Sequence, residues 1–162
     1  MLAYDPYVNA RLALGTGAEM CPDLHAMLGQ CDALAMAAEL TDETRNMIST
    51  AELAALPEGA VVVNAARGQL IDLNALDGAL ASGHIRAAGL DVVFPEPLPA
   101  DHALLKNPKV IFTPHTAGVT QEASKALAIS AAEQITTALK GDLPPFPLNP
   151  GVWDSPQSRR PR

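Results

Sequence analysis

A chain of 162 residues, 48% hydrophobic and 18% charged, can bury one core and is too apolar to stay disordered as a whole. Its formal charge of −7 disfavours nucleic acid, and the only basic cluster, Arg159-Arg160-Pro161-Arg162, reads as a frayed tail. No signal-peptide pattern opens the chain and no apolar run approaches the roughly 18 residues of a membrane span, so a soluble, cytoplasmic protein without nucleic-acid or membrane partners is expected.

In chain order, Leu2-Ala3-Tyr4-Asp5-Pro6 opens as a strand whose C-terminal edge carries Asp5, and Ala18 to Cys21 is a short strand. Asp23 can cap a helix with Leu24, Met27 and Leu28 on one face, and the apolar run Ala33 to Ala37 suits a buried parallel strand. Ser49 or Thr50 can cap a helix over residues 51–56, which Pro57-Glu58-Gly59 ends. Ala60 to Asn64 is the clearest strand, β-branched and bounded by turns. Asp72 caps a helix that stops at Gly83, and strands follow over residues 87–92 and 109–113. A long helix over residues 120–140 places Ala123, Leu127, Ile135 and Leu139 on one side, and Pro144-Pro145-Phe146-Pro147 is extended.

This alternation of strands and helices predicts an α/β fold, a Rossmann-type parallel sheet with flanking helices. The eleven glycines never form Gly-x-Gly-x-x-Gly, so the sheet is expected to be incomplete, starting at the fold's second strand. Cys21 and Cys31 form no Cys-x-x-Cys and have no histidine at zinc spacing, so neither a disulfide framework nor a metal site is expected.

Open α/β sheets put their sites at the C-terminal strand edges. Four such edges here end in polar residues: Asp5, the run Asn64-Ala65-Ala66-Arg67-Gly68, the segment Asp91 to Glu96, and His115. Singly, each has a plainer reading. Asp5 suits a turn before Pro6, Arg67 a surface position, Glu96 a solvated loop, and His115 a hydrogen-bonded site in the core.

Taken together they resemble a family. The run Val62 to Asp72 is similar to the Asn-x-x-Arg-Gly-x-x-(Val/Ile)-Asp signature of the D-isomer-specific 2-hydroxyacid dehydrogenases. Gly89 to Leu98 resembles that family's Asp-Val-Phe-x-x-Glu-Pro segment, and Thr113-Pro114-His115-Thr116-Ala117-Gly118 its Thr-Pro-His segment. Asp42 to Ile48 and Leu148 to Trp153 are similar as well, so the resemblance extends over residues 1–153. Ala37-Ala38-Glu39-Leu40 departs from the family's His/Cys-x-Pro-Leu and brings a charge close to the expected path of the cofactor.

The resemblance implies hydride transfer between NAD and a small 2-keto or 2-hydroxy acid. Protonating the keto oxygen needs a group that titrates near neutrality, which suits His115. Glu96 would fix its tautomer, so that Glu96→Gln should weaken and shift the pH–rate profile. Arg67 offers a rigid donor fork for the substrate carboxylate. Asp5 would accept from both adenosine ribose hydroxyls and repel a 2′-phosphate, favouring NAD over NADP. Asp91 is expected to hold the nicotinamide carboxamide, with Ala38, Ala65, Ala66, Arg67, His115, Thr116, Ala117 and Gly118 lining the nicotinamide half.

The implied organisation is a partial NAD-binding domain over residues 1–119, a long helix and C-terminal segment returning to the substrate domain over 120–153, and a disordered tail over 154–162. Met1 falls inside an expected strand, as a start assigned within a longer reading frame would place it. The complete protein is expected to be a homodimer, and the isolated chain to bind NAD weakly or not at all and to lack turnover. The alternative is a catalytically silent truncated product, or an interaction module like the family's corepressors.

Overall fold

The computed structural model describes residues 1–8 and 15–155. The basic cluster at Arg159 to Arg162 and most of the expected tail lie outside the described residues. Two compact units divide the chain, Met1–Ala117 and Gly118–Arg162.

Among its described residues the first unit holds six parallel strands in two sheets. β1 (Leu2–Ala3) pairs with β2 (Glu19–Met20), while β3 (Ala33–Met36), β4 (Ala60–Asn64), β5 (Ile85–Leu90) and β6 (Val110–Phe112) pair in that order. Among the described residues the helices between them are α1 (Leu24–Leu28), α2 (Thr50–Ala55) and α3 (Leu73–Ser82). Each starts where its sequence supplies a cap. Asp23 accepts from the Ala26 amide at 2.7 Å, Ser49 and Glu52 form a reciprocal capping box, and Asp72 accepts from Asn74 and Ala75. Gly83, at φ 85°, ends α3 in the left-handed region that a side chain would disfavour.

Strand register sorts the sheet into two faces. Leu34, Val62 and Ala88 are register partners and form a buried row, which packs with Leu53, Leu56, Leu76 and Leu80 in one core. The neighbouring row, Ala35, Val63, Gly89 and Ile111, lies on the opposite face, where Ile111 is 71% exposed. A continuous apolar strand suggested burial on both faces, and the structure covers one of them.

The strand expected over residues 87–92 runs two residues earlier. Its ladder with β4 ends at the pair Asn64–Leu90, and Ile85 at the other end is fully buried although His84 and Arg86 flank it. Asp91 and Val92 therefore leave the sheet as the start of a loop.

In the second unit, α4 (Gln121–Leu139) starts at Thr120, whose hydroxyl accepts from the Ala123 amide at 3.0 Å. None of its residues is buried, and Leu127, Ile135 and Leu139 are all exposed. Among the described residues no helix is long and apolar enough to cross a membrane.

Candidate functional site

Register also aligns the strand ends. Met36, Asn64, Leu90 and Phe112 are successive partners across the four-stranded sheet, so the segments after them leave from one edge. That edge carries Ala38, the Ala65–Arg67 turn, the Asp91–Glu96 loop and His115.

Asn64 builds the second of these. Fully buried, it donates from Nδ2 to the Arg67 carbonyl at 2.9 Å and accepts the Ala66 amide at 3.1 Å on Oδ1. An amide side chain is suited to this because it supplies a donor and an acceptor together. Gly68 then brings the turn against the next loop. A Cβ there would lie 2.1 Å from the Val93 carbonyl carbon and 2.2 Å from its oxygen, a contact only glycine permits. The Arg67 guanidinium donates to the Ala66 carbonyl at 2.6 Å and is exposed, and it forms no ion pair with Glu96 among the described residues.

Asp91 anchors the third and fourth segments together. Its carboxylate accepts from the Thr113 hydroxyl, from the Thr116 amide at 2.8 Å and from the Ala117 amide at 3.0 Å, and its backbone amide donates to the Asn64 carbonyl. The Thr113 bond above all holds this carboxyl below its ordinary range; burial opposes the shift, and the Ala117 and Thr116 amides add to it. Three donors engage Asp91, two on Oδ1 and one on Oδ2, and together they hold the turn that carries His115.

That turn is sharp. His115 has φ 55°, in the left-handed region, and its amide donates to both the Asp91 and Thr113 carbonyls at 3.0 Å. Its ring Nδ1 lies 3.1 Å from Glu96 Oε1. A carboxylate facing Nδ1 keeps the proton there, which leaves Nε2 as the outward nitrogen. Both side chains are about half exposed, at 50% and 44%. A small open pocket beside Glu96 is lined by Leu90, Leu98, Leu105 and Phe112 together with Asp91 and Thr113.

Asp5 stands apart from this group, on the loop after β1. Its Oδ1 accepts the Tyr7 and Val8 amides at 2.9 and 3.1 Å, and the carboxylate is exposed. The structure thus pairs His115 with Glu96 and sets the Arg67 backbone against the Glu96 loop. Asn64, Gly68 and Thr113 position these groups. Only the isolated polar residue at the end of a β-branched strand signalled the first of them.

An acid after an early strand, a buried asparagine turn and a histidine–glutamate pair beside the C-terminal edge of a parallel sheet mark a Rossmann-like α/β domain. The chain belongs to the D-isomer specific 2-hydroxyacid dehydrogenase family, whose NAD binding domain matches residues 1–117. It is 41% identical over 143 residues to D-3-phosphoglycerate dehydrogenase of Methanocaldococcus jannaschii, covering 88% of this chain and 27% of that protein. It is 38% identical over 136 residues to glyoxylate/hydroxypyruvate reductase B of Yersinia enterocolitica, covering 84% of this chain and 41% of that one. The solved structure of D-lactate dehydrogenase with NAD+ from Lactobacillus jensenii superposes with a TM-score of 0.79 at 30% identity, over 90% of this chain and 47% of that one. The chain therefore spans less than half the length of each of these relatives.

Proposed function

We propose that this chain supplies the proton-transfer half of an NAD-dependent reduction of a 2-keto acid to a D-2-hydroxy acid. The observation that carries the reading is the His115–Glu96 pair, with Nδ1 3.1 Å from Glu96 Oε1, beside the Asn64–Arg67 turn on the same sheet edge.

NADH, when bound, would supply the hydride and leave as NAD+. Its fit is tested by the groups that would hold it. The Asp5 carboxylate is exposed and, among the described residues, only its Oδ1 is engaged, so Oδ2 can accept ribose hydroxyls. The exposed Ala65 and half-buried Ala38 and Ala66 present backbone without bulky side chains, as a flat ring requires. These residues suit the group. In the reaction His115 gives its Nε2 proton to the keto oxygen, and the Glu96 carboxylate stabilises the imidazolium before transfer. Arg67 has four further N–H donors beyond the one on Ala66, enough to orient a carboxylate. Thr116, Ala117 and Gly118 follow His115 and would border the nicotinamide. Asp91 keeps His115 in place and would accept the nicotinamide carboxamide on Oδ2, which the Ala117 amide alone engages among the described residues.

A chimera tests the reading. The N-terminal portion of the Methanocaldococcus jannaschii relative is joined to this chain, and NADH oxidation is followed with hydroxypyruvate and glyoxylate. Turnover is expected, and His115→Asn should lower kcat by about 10²–10⁴-fold. A folded chimera that binds NADH and reduces keto acid equally well without His115 would refute it.

A further inference from the structure

The first unit's two sheets, β1–β2 and β3–β6, are not hydrogen-bonded to one another. In open α/β folds a nucleotide binds outside the C-terminal strand edges, where the strand order reverses. A side-chain bond joins loops that leave such edges of the two sheets: the Tyr7 hydroxyl, on the loop after β1, donates to Glu43 Oε2 on the loop after β3.

Both ends are fixed by separate means. Tyr7 and Val8 donate their amides to Asp5 Oδ1, which sets the direction in which the loop leaves β1. Glu43 sits in a turn closed by Thr41 and Thr44: the Thr41 amide donates to the Thr44 hydroxyl at 2.8 Å, and that hydroxyl donates to the Glu39 carbonyl at 2.6 Å. The Asn46 amide then ties the turn to the Gln69 carbonyl at 2.7 Å. The bond thus joins two ordered loops. Both carboxylates act on one phenol, since Glu43 chiefly, and Asp5 to a lesser extent, push the Tyr7 hydroxyl above its ordinary range.

We propose that Tyr7 holds Glu43 as a second carboxylate beside Asp5 at the adenosine end of the dinucleotide site, and that Glu43 thereby sets selectivity against a cofactor bearing a 2′-phosphate. The inference rests on the NAD reading above. A 2′-phosphate carries about −1.5 to −2 charges, and a carboxylate several ångströms away in solvent weakens its binding by about three- to tenfold. Glutamine at position 43 still accepts from Tyr7 and removes only the charge. Phenylalanine at position 7 keeps the charge and releases it from its place. Tyr7 is a positioning residue, and its signature is a change in selectivity rather than in affinity alone.

The test is a titration of the isotopically labelled chain with 5′-AMP and with adenosine 2′,5′-bisphosphate, read by amide chemical shifts. These probes need only the adenosine end of the site. Glu43→Gln should raise the affinity for the bisphosphate relative to 5′-AMP by about three- to tenfold, and Tyr7→Phe by about two- to threefold. Equal loss of both ligands in the variants would mean a merely structural bond and overturn the proposal. A ratio that shifts in Asp5→Asn but in neither variant would remove Glu43 and leave the NAD reading standing. If the unaltered chain binds neither ligand, the titration is repeated on the chimera, where binding of neither ligand overturns both readings.

Discussion

Glu96 Oε1 lies 3.1 Å from His115 Nδ1, although nineteen residues separate the two in the chain. Because the acid meets Nδ1, it selects one tautomer and leaves Nε2 for the substrate. Glu96→Gln presents an amide that can accept or donate, so this selection is lost. In the chimera, kcat should fall by about 10–100-fold with KM for keto acid little changed. The ¹⁵N shifts of the His115 ring should move from a single tautomer towards a mixture. Unchanged ring shifts would show that the pair does not orient the imidazole.

Asp91 provides a pH-dependent hold on the His115 turn. Its folded-state pKa lies below the ordinary value, chiefly through the Thr113 hydroxyl. The stability it contributes is therefore present above the unfolded-state carboxylate pKa of about 3.9, and is lost as pH falls through the depressed folded value. Amide exchange at Thr116 and Ala117 should be flat from pH 7 to 5 after correction for intrinsic rates, then accelerate under more acidic conditions. Asp91→Asn should raise that exchange by about tenfold at neutral pH. Protection that survives the substitution would mean that other contacts hold the turn.

Gly68 and Gly89 differ in what a methyl group would meet. At Gly68 a Cβ runs into the Val93 carbonyl and the Phe94 amide nitrogen, which are backbone and cannot rotate away. Gly68→Ala should cost about 3 kcal/mol or more in urea denaturation. At Gly89 the nearest atom is a Val63 methyl at 3.8 Å, so Gly89→Ala should change stability by less than about 1 kcal/mol. Similar losses at both positions would disprove the close approach of the Arg67 turn to the Glu96 loop.

Asp72 starts α3 by accepting two amides, at 2.9 and 3.2 Å. Asp72→Ala should destabilise the chain by about 1 kcal/mol, with hydrogen exchange speeding first at Asn74 and Ala75. A midpoint that does not move would show that packing of Leu76 and Leu80 alone sets the helix.

What the sequence determined by itself was local: Asp23, Ser49, Asp72 and Thr120 each cap the helix that follows, and Ala60 to Asn64 forms a strand because β-branched residues favour a pleated, half-buried surface. It also marked His115, Glu96, Arg67 and Asp5 by residue type and position after strands. Long-range register was not legible, because pairing Asn64 with Leu90 depends on how whole strands align and not on either residue. That register decided where β5 ends, and so placed Asp91 on the loop where it holds the His115 turn. It also left Val63 and Ile111 on a bare face while Val62 is buried, since successive side chains of a strand point to opposite sides.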